Sequence, residues 1–145
     1  MICGPEDIIN EVAKVSEFTI TSLATNTQVA AEEAFKNGMD DALPMKNEYM
    51  KRRDLLVAGL EKAGFSCPKP NGAFYVFAKI PDGLNQNSEE FCFDLAEKAK
   101  VALIPGSYFL PGGEGYVRIS YAASEENIQE AVSRIQKYVD KQSVK

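Results

Sequence analysis

The stretch YVRISY, Tyr116 to Tyr121, alternates side chains that belong in a core with side chains that do not. Successive residues of a strand face opposite ways, so Val117, Ile119 and Tyr121 share one face while Tyr116, Arg118, Ser120 and, just beyond, Ala122 share the other. Such a strand needs helices banked against its apolar side, and it carries Arg118 on the side that points away from them. The alternation alone leaves two readings of Arg118 open. It is either an ordinary exposed arginine, with or without a nearby glutamate whose pairing would be worth little, or a receptor for a carboxylate. The planar guanidinium fork fits a carboxylate with two parallel hydrogen bonds and stays charged at any working pH. A strand would also hold that fork more rigidly than a loop.

The neighbouring segments supply the helices and the rest of a sheet. GAFYVFAKI, Gly72 to Ile80, is apolar on both alternating faces and reads as a strand ended by Pro81-Asp82-Gly83. A helix follows, with Ser88 as N-cap, Glu89 and Glu90 in the first turn, and Phe91, Cys92, Leu95, Ala96 and Ala99 on its stripe. VALI, Val101 to Ile104, reads as a short strand, and the long loop from Pro105 leads into YVRISY. Ser124, Glu125 and Glu126 open a last helix that carries Ile128, Ala131, Val132, Ile135 and Val139. Upstream, Gly4-Pro5 opens a helix with Ile8, Ile9, Val12 and Val15 at helical spacing, which breaks within Phe18 to Asn26. A second helical run, Gln28 to Phe35, stops at Asn37-Gly38. Pro44 then precedes a longer helix with Tyr49, Leu56, Leu60 and Ala63 on one face, closed by Gly64. Lys51, Arg52 and Arg53 interrupt that face and read as solvated residues with buried stems. The sum is one α+β domain over residues 1–145, a two-layer sandwich of a small, mostly antiparallel sheet packed against helices.

Composition removes several classes of function. A net charge of -5 over 145 residues speaks against nucleic acid or an anionic membrane as partner. No apolar run is long enough to span a bilayer, and MICGPEDII has neither the basic start nor the apolar core of a signal peptide. With no histidine in the chain, His-based triads and most zinc sites are excluded, and no metal site is expected. Cys3, Cys67 and Cys92 form no CxxC and read as reduced core fillers, which points to the cytoplasm. Adjacent acids such as Glu32-Glu33 and Asp40-Asp41 point different ways and suit surface and helix-dipole roles better than acid/base chemistry. Three glycine segments, PNGAFY, IPGSYF and PGGEG, lie near strand ends but match no phosphate-binding loop. Gly72 precedes a strand, where a missing side chain admits another backbone or a ligand. Tyr75, Tyr108 and Phe109 either line a pocket or fill the core.

Taken in order, PNGAFYVF, VALIPGSYF and YVRISYA followed by ENIQEAVSRI resemble the C-terminal part of class I/II aminotransferases. These are the fold type I enzymes that use pyridoxal phosphate. KRRDLLVAGLEKAGF is similar to the helix they carry before GAFY, and MICGPEDII and TNTQVAAEEAF are similar to the segments after their active-site region. The resemblance covers about Cys3 to Val139. It implies that Arg118 binds the α-carboxylate of the substrate and that Gly72, with Gly106, Ser107 and Phe109 of the PG-x-x-F loop and Tyr75, lies near the pocket. It implies amino-acid and 2-oxo-acid substrates and a homodimeric parent, with residues 1–38 following a large cofactor-binding domain. The family's Schiff-base lysine lies upstream of MICGP; Lys14, Lys36, Lys46 and Lys79 stand in no such motif. The expectation is therefore a C-terminal piece of an enzyme that holds no pyridoxal phosphate by itself and contributes no catalytic residue. The rival expectation is a stand-alone, non-catalytic carboxylate-binding or interaction module.

Overall fold

The computed structural model describes residues 3–109 and 111–143. They divide into two compact units, one ending at Pro44 and one beginning at Met45. The first unit holds α1 (Glu6–Thr19), α2 (Thr25–Asn37) and the start of α3 (Met39–Lys62). Pro5 stands at the N-cap of α1, where its missing N–H costs nothing, and Gly38 closes α2 by donating its N–H to the Ala34 carbonyl. No residue of α1 or α2 is buried. Of the apolar stripe expected on α1, Ile9 and Val12 are half-buried, whereas Ile8 and Val15 are exposed. Pro44 lies inside α3 and does not precede it. The ring removes the N–H that would donate to the Asp40 carbonyl and crowds that carbonyl as well.

The second unit is built on a three-stranded sheet in the order β1 (Tyr75–Lys79), β3 (Tyr116–Ser120), β2 (Ile104–Pro105). Both outer strands run antiparallel to β3, with Phe77 and Ile104 opposite Arg118 on its two sides. The strands are shorter than the hydropathy suggests. Ala73 adopts a left-handed φ of 59°, which bends Gly72 to Phe74 out of the extended run, and β1 starts only at Tyr75. VALI contributes only Ile104 to β2, because Val101 to Leu103 pair with nothing and Pro105 has no N–H to extend the ladder.

Burial follows the pleat. Val76, Ala78 and Ile80 on and just beyond β1, and Val117, Ile119 and Tyr121 on and beyond β3, are buried; Tyr75, Phe77, Tyr116 and Arg118 are half-buried. The core is completed by Leu56 and Leu60 of α3, Phe91 and Leu95 of α4 (Ser88–Ala99), and Ile128 and Ile135 of α5 (Glu125–Ser143). Each fully buried Leu or Ile contributes about 1.5–3 kcal/mol relative to exposure. α3 ends as foreseen at Gly64, whose φ of 88° lets Phe65 donate back to Leu60. The N-cap of α4 is Asn87, whose side chain accepts from Glu90, so the cap lies one residue before the serine expected there. Ser88 is instead buried and uses its hydroxyl elsewhere.

Two further expectations are corrected. Arg53 is not solvated: its side chain is 12% exposed and donates to Asp54 and to the Pro70 carbonyl. Among the cysteines only Cys92 is a buried core filler; Cys67 is half-buried and Cys3 is exposed. Burial pushes the Cys67 and Cys92 thiols up to about 11, which leaves both poor nucleophiles.

Candidate functional site

Arg118 occupies the middle residue of the central strand, on the sheet face opposite the helical core. Among the described residues no carboxylate pairs with it and no hydrogen bond from its guanidinium is present. The glutamate partner that the first sequence reading allowed is therefore not found among the described residues. Two aromatic rings take its place. The guanidinium carbon lies 4.3 Å from the centroid of Tyr75 and 4.1 Å from that of Phe109. Both distances are well inside the range of a cation–π attraction. The rings are themselves braced. Phe109 meets Phe77 edge-on at 6.4 Å, Phe77 stacks on Tyr116 at 5.3 Å, and Tyr75 lies 4.4 Å from Phe74.

Phe109 reaches this position because the loop before β3 is pinned at two places. Gly106 and Gly113 are both buried and cross closely: a Cβ built on Gly106 would lie 2.2 Å from the Gly113 carbonyl oxygen and 2.7 Å from that of Tyr116. Only glycine allows that approach. The second pin is polar. The Ser88 hydroxyl donates to Ser107 Oγ at 2.9 Å, and the Ser88 N–H donates to the Glu114 carboxylate at 2.6 Å. That N–H hydrogen bond, at the first turn of α4, holds the Glu114 carboxyl below its ordinary value. Because the folded value is the lower one, this tie contributes at neutral pH and is lost as the pH falls through the folded value. Tyr108 points outward and donates to Glu89 at 2.7 Å, which raises its phenol above the usual value.

The structure therefore brings Tyr75, Phe109 and Arg118 together, with Gly106 and Ser107 as the parts that seat the loop. Gly72 lines a cleft of about 470 Å³ with Lys46, Tyr49, Met50 and Arg53, a lining that does not include Tyr75, Phe109 or Arg118, and nothing lies within 4 Å of where its Cβ would stand. Sequence reasoning missed Phe77, Gly113 and Glu114. The hydrophobic alternation of β1 put Phe77 on Arg118's side of the sheet, so that signal was present. Gly113 and Glu114 work through backbone proximity and a single N–H, which leave no spacing to read. Lys79, the one lysine on β1, is tied to Asp82 at 2.6 Å, and that pairing raises its pKa. That shift favours the charged ammonium over the neutral amine that attacks a carbonyl. No group of residues able to hold a metal ion occurs among the described residues, and no helix there is long and apolar enough to cross a membrane.

Comparison with known proteins gives this site a context. The family model for aminotransferase class I and II matches residues 1–135. An aspartate aminotransferase from Pyrococcus horikoshii is 40% identical over 142 residues, covering 96% of this chain and 36% of that protein. An LL-diaminopimelate aminotransferase from Nitratidesulfovibrio vulgaris is 38% identical over 93% of this chain and 34% of its own length. The chain thus spans about a third of the length of these curated relatives. Among solved structures, the aromatic aminotransferase of Pyrococcus horikoshii matches 99% of this chain and 39% of its own with a TM-score of 0.86 at 36% identity. The aspartate aminotransferase of Thermus thermophilus, solved with maleate, matches 93% of this chain and 35% of its own with a TM-score of 0.80 at 38% identity. A family model that spans nearly the whole sequence, and the same α+β fold in relatives above 30% identity, agree with the resemblance carried by PNGAFYVF and YVRISYA: the chain belongs to the aminotransferase class I and II family.

Proposed function

We propose that residues 1–145 form the C-terminal small domain of a pyridoxal-phosphate-dependent aminotransferase, with 1–38 the segment that follows its large domain, and that Arg118 receives the α-carboxylate of the substrate. The observation that carries this reading is Arg118 itself: a cation on a central strand, held by rings and paired with no acid among the described residues. A charge in that state has donors to offer an incoming carboxylate. The maleate named with the Thermus thermophilus relative is a dicarboxylate, which supports the same chemistry for the ligand. The parent's substrates would be an amino acid and a 2-oxo acid.

Pyridoxal phosphate, when bound, supplies the electron sink for moving an amino group. Lys79, the lysine of β1, is paired with Asp82 and so is a poor candidate to hold that group. The cofactor is accordingly assigned to the rest of the parent, and this chain's part is to bind and orient. A homodimeric parent in the cytoplasm completes the proposal. In the full-length parent, Arg118→Ala should raise KM for the amino-acid substrate on the order of a hundredfold while cofactor absorbance stays unchanged. Unaltered KM would overturn the assignment.

A further inference from the structure

We infer that Tyr75 and Phe109 are positioning residues for Arg118, holding its guanidinium by their ring faces so that its N–H donors stay uncommitted for a carboxylate. The inference rests on the proposed role of Arg118 and adds to it what aims the charge.

An arginine on an open sheet face has several rotatable bonds and would sample many orientations, each of which dilutes a bidentate encounter. Proteins commonly fix such a side chain with an Asp or Glu. An acid here would take up the same donors that the ligand needs and would have to be displaced. Aromatic rings fix a cation without that competition, because the attraction comes from the ring quadrupole and leaves the N–H groups free. The two rings arrive from different parts of the chain. Tyr75 stands at the start of β1, two residues before Phe77, which faces Arg118 across the ladder. Phe109 ends the short turn Gly106–Tyr108, which is seated by the Gly106–Gly113 crossing and by Ser88. Both lie within 4.3 Å of one guanidinium carbon, and they form no ring pair with each other, as expected of rings that flank a shared cation. Each ring also has an aromatic neighbour of its own, Phe77 for Phe109 and Phe74 for Tyr75.

The test uses the full-length parent and maleate as the probe, with binding followed by the Nε–Hε NMR signal of Arg118, assigned through Arg118→Lys. Wild type should bind saturably. Phe109→Leu and Tyr75→Leu should each weaken maleate binding about tenfold and release the ring-shifted Hε toward its free position, while Phe109→Tyr and Tyr75→Phe should restore both. Rescue by another ring separates positioning from simple space filling. If both Leu variants bind like wild type while Arg118→Lys does not, the positioning role is wrong and the carboxylate role stands. If Arg118→Lys binds maleate like wild type, or wild type does not bind it, the carboxylate role falls and this inference with it. Should one Leu variant fail to fold, the other carries the comparison.

Discussion

At positions 106 and 113 two buried glycines approach so closely that a Cβ on either would lie about 2 Å from the other's carbonyl oxygen, against a backbone that cannot rotate aside. Gly106→Ala should therefore destabilise the second unit by about 2–4 kcal/mol in urea unfolding and move Phe109 off Arg118. Gly72→Ala is the matched control. Nothing lies within 4 Å of its added methyl, so stability should change by no more than about 0.5 kcal/mol. Equal effects at the two positions would refute the crossing. Arg118 and its face were legible in YVRISY because alternation fixes which side a residue takes. What surrounds Arg118 was only partly legible. Tyr75 and Phe109 stood out as aromatics, but their convergence on one cation depends on how a loop is pinned by Gly113 and Glu114, through contacts that no local pattern encodes.

Among the elements, the close approach of α3 and α5 depends on Gly59. A Cβ there would lie 2.3 Å from Val132 Cγ1 and 2.8 Å from its Cγ2. Alanine would gain up to about 1 kcal/mol of helix propensity at this site. Val132 is β-branched and has little rotamer freedom inside a helix, and overpacking costs about 1–3 kcal/mol, so the clash should win. Gly59→Ala is expected to lower stability by about 1 kcal/mol, and adding Val132→Ala should recover most of the loss. A neutral Gly59→Ala would mean that the helices can part at no cost. Helix positions were well foreseen, since their apolar spacing of three and four residues is long and regular. The ends were not. Pro44 read as a start because proline favours first turns, and Asn87 lost the cap to its neighbour on paper because Asn and Ser are about equally good N-caps. The strands were overlong on paper because hydrophobicity reports burial, while a strand also needs extended φ and a partner's N–H.

For the molecule as a whole, the two units differ in what covers them. α1 and α2 bury no residue, whereas β1, β3 and α4 are sealed by a common core. Hydrogen exchange should show this directly. Amides of residues 6–37 should exchange orders of magnitude faster than those of Val76, Val117 and Leu95, and equal protection would show that the first unit has cover of its own. The stripe of α1 reads in sequence like that of α4, since periodicity reports which residues seek cover but not whether this chain provides it. The pairing of Arg118 with Phe77 and Ile104 on either side has a further implication, for tolerance of insertions and deletions. A pleated strand has parity: one added or lost residue within Tyr116 to Arg118 would turn the guanidinium into the core and bring a valine or isoleucine to the surface. Length can drift there only in steps of two, so single-residue changes between relatives of this chain belong in the loop before Gly115, upstream of the strand that keeps the count.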